Sequence, residues 1–221
     1  MNILAIDTAT EQCSVALLTA SGQWSRVQPT PRAHAELILP MVADVLRDAG
    51  TRLRDMDCLA FGRGPGSFTG VRIAASVAQG LALACNLPVV AVSNLAAVAR
   101  QLATMRPAAA TALICMDARM GEVYWARYRI GGSIDEMKVE LLAQEQVSAP
   151  SAVTGAADCG AGTGWAAYPQ LRAQYPGMDV EHLLPQALHV AQLGRIECAA
   201  GRTVHAVDAQ PIYVRDRVLQ G

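Results

Sequence analysis

The amino-acid sequence predicts an α/β protein folded as two lobes of similar architecture, and three observations carry that prediction. Asp57–Phe61 is a short apolar run, Gly62–Arg72 is rich in glycine, and Ile73–Cys85 runs thirteen residues without a charge. That succession reads as a buried strand, a tight turn and a buried helix. The order strand, acid, turn, strand occurs at Asn2–Leu18 and returns at Thr111–Ile130, as if the second lobe were a degenerate copy of the first. Met105-Arg106-Pro107 interrupts the apolar pattern between the two copies. The expected lobes are therefore residues 1–106 and 107–221, with the last segment, about 205–221, returning to the first lobe.

Taken in order, Asn2–Asp7 reads as a strand ending in an acid, Thr8–Gln12 as a turn and Cys13–Leu18 as a second strand, with Gln23–Gln28 a third. His34–Asp48 is an amphipathic helix with Leu37, Ile38, Met41, Val42, Val45 and Leu46 on one face, stopped by Gly50. Pro40 lies inside it and predicts a kink or a late start. Pro88–Val92 reads as a strand and Ser93–Met105 as a helix. Thr111–Met116 and Glu122–Ile130 are strands around Asp117-Ala118-Arg119-Met120-Gly121. Gly131–Pro150 carries no clear pattern. Ala152–Gly155 is expected as a strand, Gly160–Gly164 as a second glycine-rich loop and Ala187–Ala200 as a helix ended by Gly201. Ala209–Val214 then leads towards the C-terminus.

Composition narrows the classes of function. Of 221 residues, 52% are hydrophobic and 17% charged, which excludes a disordered chain and favours a buried subunit interface. Net charge is −1 and no basic run exceeds two residues. Nucleic-acid binding is mostly phosphate neutralisation, so this chain alone is not expected to grip one. The six cysteines, at 13, 58, 85, 115, 159 and 198, form no close pair in sequence and fit neither a zinc site nor a redox motif. Reduced, buried thiols of a cytoplasmic protein are expected. The chain opens directly into a strand, so no signal peptide is expected. Ile73–Ala99 is uncharged for 27 residues, but Asn86-Leu87-Pro88 and Ser93-Asn94 interrupt it. A buried helix followed by a buried strand is expected there, rather than a membrane span of about 20 residues.

The glycine-rich turn is the centre of the functional reading. Gly62, Gly64 and Gly66 open backbone angles closed to other residues, Pro65 stiffens the turn, Ser67 is the expected N-cap and Thr69 lies in the first turn. Helix N-terminal amides favour an anion, so Gly64, Gly66, Ser67 and Thr69 are candidate phosphate or nucleotide contacts. The alternative is a tight corner with no ligand. A Walker A loop is excluded because it needs Lys after its last Gly, and the only Lys is Lys138. A nucleophile elbow needs Gly two residues either side of Ser, and Ser67 has Pro65 and Thr69 there. His34-Ala35-Glu36 lacks the Pro-Cys-x-x-Cys that a zinc deaminase requires.

An acid ending the first strand, followed by a Thr-containing turn, resembles the phosphate loop of the actin/Hsp70/sugar-kinase (ASKHA) superfold. That likeness makes Asp7 and Thr10 candidates for a metal-bound phosphate, with a turn-capping Asp as the alternative. The longer string Gly64-Pro65-Gly66-Ser67-Phe68-Thr69-Gly70 with Arg72 resembles the signature of the TsaB (YeaZ) family. The likeness extends to Ile3–Thr10 and to Pro211-Ile212-Tyr213-Val214-Arg215-Asp216. It implies a two-lobed ASKHA fold and a non-catalytic subunit. Such a subunit forms a heterodimer with a catalytic TsaD-like threonylcarbamoyl transferase, making threonylcarbamoyladenosine beside some tRNA anticodons. It also implies a TsaE-like P-loop ATPase as third component and tRNA contact only through the complex. No cofactor of its own is implied, ATP or ADP at the shared interface being the candidate ligand, and a homodimer is the alternative assembly when the partner is absent. In nucleotide-binding relatives a loop near Gly160–Gly164 faces adenosine; a plain loop is the alternative here. The catalytic relative carries a His-x-x-x-His metal pair at a helix start where this chain, aligned on the preceding strand, has Asn94 and Val98. Imidazole is the ligand such a site needs, so no metal chemistry is expected. The other reading is a stand-alone nucleotide-binding phosphotransferase or peptidase of the same superfold.

From Ile73 onward the helix after Ser67 lacks charge on every side, and a helix apolar all round is normally buried on all sides. With the helix from His34 it is the expected partner interface, through His34, Leu37, Ile38, Met41, Val71, Ala74, Ala75, Ala78 and Leu81.

Overall fold

The computed structural model describes residues 1–30, 32–132 and 137–215. The first sheet is built from β1 (Ile3–Asp7), β2 (Gln12–Leu18), β3 (Gln23–Pro29), β4 (Cys58–Gly62) and β5 (Val89–Val92), in the order β3-β2-β1-β4-β5. β1 and β2 form an antiparallel hairpin, whereas β4 runs parallel to β1 and β5 parallel to β4. Every residue of β1, β2 and β4 is buried, as expected of strands covered on both faces. On one face lie α1 (His34–Asp48) and α2 (Phe68–Cys85), which pack Ile38, Met41, Val42, Val45, Ala74, Ala75, Ala78 and Ala82 against Leu4, Ile6, Leu59 and Phe61. On the other face α6 (Ala187–Ala199) packs Ala187, Val190 and Ala191 against Ile3, Ala5, Ala60 and Val92.

The second sheet contains β6 (Thr111–Asp117), β7 (Val123–Gly131), β8 (Lys138–Leu141), β10 (Cys159–Ala161) and β11 (Asp179–Glu181), in the order β11-β10-β6-β7-β8, with β9 (Gln146–Ser148) pairing β7. Counted from β8, this is the order and direction of the first sheet again. β6 and β7 form the antiparallel hairpin, and β10 and β11 follow in parallel. The repeated strand-acid-turn-strand pattern thus marks a duplicated α/β fold of the ASKHA class. The short helices α4 (Gly164–Ala167) and α5 (Pro169–Ala173) contribute Trp165 and Leu171 to a core with Leu113, Cys115 and Trp125.

Several local expectations hold. Ser67 is the N-cap of α2, its hydroxyl accepting from the Gly70 amide at 3.4 Å. α2 ends where Asn86 turns left-handed (φ 52°), and the Leu87 amide closes back on the Ala82 carbonyl at 2.9 Å. By length and composition α2, with 18 residues, could cross a bilayer, but its small-residue stripe lies on the first sheet. α1 starts at His34 with no late start at Pro40: that ring is exposed, and so is Glu36, whose carbonyl the missing N–H would have met.

Other expectations need correction. The two compact units are not residues 1–106 and 107–221. One comprises Met1–Ala97 with Pro185–Ile212, and the other, among the described residues, Val98–Leu184 with residues 213–215. The division falls within α3 (Asn94–Met105), and the return begins at Pro185 because α6 covers the first sheet. Ala152–Gly155 is no strand. Pro150–Ala152 makes a 3-10 turn, and Gly155 has a φ of +99°, outside the range of a strand. The patterns also gave no sign of β11 or the short helices.

Two glycines of α2 test how tightly it is seated. A Cβ on Gly70 would lie 2.0 Å from the Thr8 carbonyl oxygen, whereas one on Gly80 would meet nothing within 4 Å. Gly70→Ala should destabilise the protein by about 3 kcal/mol or more, because backbone must move. Gly80→Ala should stabilise it by about 0.5–1 kcal/mol. Urea unfolding of both variants reads the contrast, and equal effects would show that α2 does not touch the first turn.

Candidate functional site

Parallel pairing of β1 with β4 aligns their C-terminal ends, so that Asp7 stands beside Gly62. The carboxylate occupies the space of a side chain there: a Cβ on Gly62 would lie 1.8 Å from Asp7 Oδ2. Asp7 is wholly enclosed. Its Oδ1 accepts from the Ala9 amide at 3.2 Å, and its Oδ2 accepts from the Asn94 side-chain amide. Asn94, itself 1% exposed, also accepts from the Gly64 amide at 2.7 Å through Oδ1. Its own amide donates to the Gly64 carbonyl at 3.0 Å. Burial pushes Asp7 up from 3.8 to about 7, against the smaller opposing pull of the Asn94 and Ala9 hydrogen bonds.

The glycine-rich turn is closed by contacts within its own unit. The Ser67 amide donates to the Ala9 carbonyl at 2.7 Å, the Val71 amide to the Ser67 carbonyl at 3.0 Å, and the Thr8 hydroxyl to the Gly70 carbonyl at 2.7 Å. A Cβ on Gly66 would come within 2.6 Å of the Ala9 carbonyl oxygen. Gly64, at φ +105° beside a cis Pro65, lies so near the returning chain that a Cβ would sit 2.9 Å from the Ile212 carbonyl. The glycines therefore serve close packing of backbone on backbone. A metal-bound phosphate does not fit at Asp7, because the carboxylate oxygens and the Gly64 and Ser67 amides already have partners.

Of the candidate contacts, Asp7, Thr10, Gly64, Gly66 and Ser67 do come together at one end of the first sheet. Thr10 is held through its carbonyl, which accepts from His34 Nε2 at 2.7 Å, and its hydroxyl is buried with no hydrogen-bond partner. Ser67 and Thr69 are exposed. Asn94 was expected only as the replacement for a metal ligand. Its position just after the N-cap Ser93, whose hydroxyl accepts from the Ala96 amide at 3.1 Å, was legible, but its partner Asp7 was not. Val98 is buried, and no group of three His, Cys, Asp or Glu suited to a metal occurs among the described residues.

The residues expected at a partner interface need a correction. His34, Ile38, Met41, Val71, Ala74, Ala75 and Ala78 are buried inside their own unit, and Leu37 and Leu81 are only part-exposed. The stripe chosen from the sequence is the one that faces the first sheet. The outward side of α2 carries Phe68, Thr69, Ser76, Gly80, Leu83 and Ala84 instead, and that of α1 carries Leu39, Pro40 and Ala43. Asp216, at the end of the C-terminal string, lies outside the described residues.

The second unit holds the counterpart acid in a different state. Asp117 ends β6, its Oδ1 accepting from the Arg119 amide at 2.8 Å and from the Tyr168 hydroxyl at 2.7 Å, while its own amide donates to Thr163 at 2.9 Å. Gly160–Gly164 is not a plain loop. It is β10, a turn at Gly162 (φ +114°) and the start of α4, the second copy of the glycine-rich turn.

Duplicated sheets, each with an acid at the end of its first strand and a glycine-rich strand-to-helix turn, define a protein of the actin-like class. Residues 28–176 match the model of the TsaD family, tRNA N6-adenosine threonylcarbamoyltransferase. The chain is 44% identical over 224 residues to the Escherichia coli K12 tRNA threonylcarbamoyladenosine biosynthesis protein TsaB, covering 99% of this chain and 96% of that protein. It is 39% identical to TsaB of Haemophilus influenzae, covering 99% and 95%. Among solved structures, YeaZ from Pseudomonas aeruginosa superposes with a TM-score of 0.87 at 42% identity, covering 96% of this chain and 99% of that one. A Pseudomonas aeruginosa protein described as similar to peptidase YeaZ does so with 0.89 at 44%, covering 97% and 99%. The chain belongs to the TsaB (YeaZ) family.

Because Asp7 titrates higher when folded, the native state holds more protons than the unfolded chain between pH 3.8 and about 7. Its contribution to stability is complete below that window and lost as pH rises through it. Asn94→Ala removes the donor to Asp7 and the acceptor of the Gly64 amide. It should cost about 1–3 kcal/mol at pH 5, and about 1.5 kcal/mol more at pH 8, where Asp7 is charged. Denaturant unfolding at both pH values checks this, and an equal cost at the two would show that Asn94 does not solvate the carboxylate.

Proposed function

We propose that this chain is the non-catalytic subunit of a tRNA threonylcarbamoyladenosine assembly, pairing with a TsaD-class transferase. The observation that carries the reading is the enclosed Asp7 carboxylate, with an Asn94 amide where a catalytic relative would place a metal-binding imidazole. A centre for phosphoryl transfer needs its acid open to a metal-bound phosphate, and a hydrolase needs a metal or an activated nucleophile. Neither fits the hydrogen bonding found here, so no observation favours a stand-alone phosphotransferase or peptidase. The E. coli and H. influenzae relatives are named for this biosynthesis, which supports the same reading.

The partner surface in this proposal is the outward face of α2 with its neighbour α1. From Phe68 to Cys85 the only charge is Arg72, whose guanidinium lies 3.3 Å above the Phe68 ring. Phe68 is 58%, Leu83 60% and Leu39 50% exposed, and the open space at Gly80 admits a close helix. Large exposed apolar side chains of this kind are the material of association sites. A P-loop ATPase would be the third component, and tRNA would be held through the complex, in keeping with a net charge of −1. A homodimer through the same face is the competing assembly. Any ATP or ADP site this chain helps to build would use the exposed Ser67 and Thr69 at the turn, not Asp7.

Leu83→Glu tests the surface. The variant should melt as the parent does yet bind the TsaD-class subunit at least about 30-fold more weakly, roughly 2 kcal/mol, the scale of a central interface position. Calorimetric titration reads the binding, with ATP hydrolysis by each subunit alone as the control. Undiminished binding would move the interface elsewhere, and rapid hydrolysis by this chain alone would overturn the non-catalytic reading.

A further inference from the structure

α6 and β4 meet more closely than side chains ordinarily allow. A Cβ on Gly194 would lie 2.8 Å from the Ala60 Cβ and 3.1 Å from Ile3 Cδ1, so the helix rests on the sheet at that glycine. Cys198 is one helical turn beyond Gly194 and on the same face. Cys58 is two residues before Ala60 and therefore points from the same side of β4. The two registers run together, and Cys198 packs against the apolar cluster that contains Cys58. Cys58 is fully buried, its Sγ donating to the Leu59 carbonyl at 3.3 Å, whereas Cys198 is half-buried at the rim.

We propose that Cys58 and Cys198 are a redox-active pair that closes to a disulfide by exchange with a small-molecule disulfide such as glutathione disulfide, tethering α6 to β4. The Cys198 thiolate, on the accessible side, attacks one sulfur of glutathione disulfide. A Cys198–glutathione bond forms, the reagent's S–S bond breaks, and glutathione leaves as a thiolate that takes up the proton Cys198 lost. Cys58 then gives up its proton and attacks Cys198 Sγ, releasing the second glutathione. Two protein thiols are oxidised, one disulfide is reduced to two thiols, and protons balance. Burial, with neighbouring Cys198 a smaller cause, pushes the Cys58 thiol up, so the second step is the slow one. Disulfides in reducing compartments are usually transient and redox-sensing, which suits a pair that rests as thiols. The tether would join the strand before the second unit to the helix that returns after it, closing a loop that contains residues 98–184. Long loops of this kind restrict the unfolded chain most.

The test uses the full reduced chain incubated with glutathione disulfide, alkylated, and mapped by mass spectrometry without reduction. The expected product links the peptide carrying Cys58 to the peptide carrying Cys198, with a melting temperature several degrees above that of the reduced protein and full reversal by dithiothreitol. Cys198→Ser, a change at a half-buried position, should abolish both the link and the rise. If Cys58→Ser folds, Cys198 should retain a glutathione adduct that the parent resolves. A parent that keeps the adduct at Cys198 with Cys58 free, that links either cysteine elsewhere, or that does not react would overturn the proposal.

Discussion

The first unit depends on one buried polar node, in which the Asn94 side chain bridges the Asp7 carboxylate and the Gly64 amide. Each group would be costly alone. An ionised carboxylate out of water loses several kcal/mol of solvation, and an unmade buried amide hydrogen bond costs about 1–3 kcal/mol. Together they join the end of β1, the turn after β4 and the start of α3, three segments far apart in the chain. The node also explains why Gly62 must lack a side chain, since the carboxylate fills that volume.

The same constraint shapes the glycine-rich turn. A phosphate cradle presents open amides to an anion. Here the amides of Gly64 and Ser67 point back into the protein, to Asn94 and to Ala9, and Gly66 and Gly70 let the turn lie directly on residues 8 and 9. A string that looks like a ligand loop has become a seat for α2. That seat holds α2 with its alanine stripe inward, which leaves Phe68 and Leu83 exposed on its outer side.

The duplication shows how one topology yields two environments. Asp7 and Asp117 end equivalent strands, and each accepts from the amide two residues on. Asp7 is sealed, and burial sets its pKa. Asp117 instead meets Tyr168 and an ion pair with Arg119, whose side chain is 80% exposed. The helices over the second sheet are shorter than α1 and α2, and Arg119 and Met120 at the hairpin tip adopt left-handed angles, φ 61° and 55°.

By itself, the sequence determined the longer elements and their duplication. The bounds of α1, the cap at Ser67, the stop at Asn86 and the repeated hairpin were all legible, because periodicity, capping and turn chemistry act over a few residues. The family signature was legible for the same reason: it is a contiguous string. Tertiary structure alone decided which side of α2 is inside, since a helix apolar all round gives no phase, and the sheet then buried Ala74, Ala75 and Ala78. It also decided that α6 belongs to the first sheet and that Cys58 lies against Cys198. Both depend on chain segments more than 100 residues apart, and no local pattern records which partner a buried face will meet.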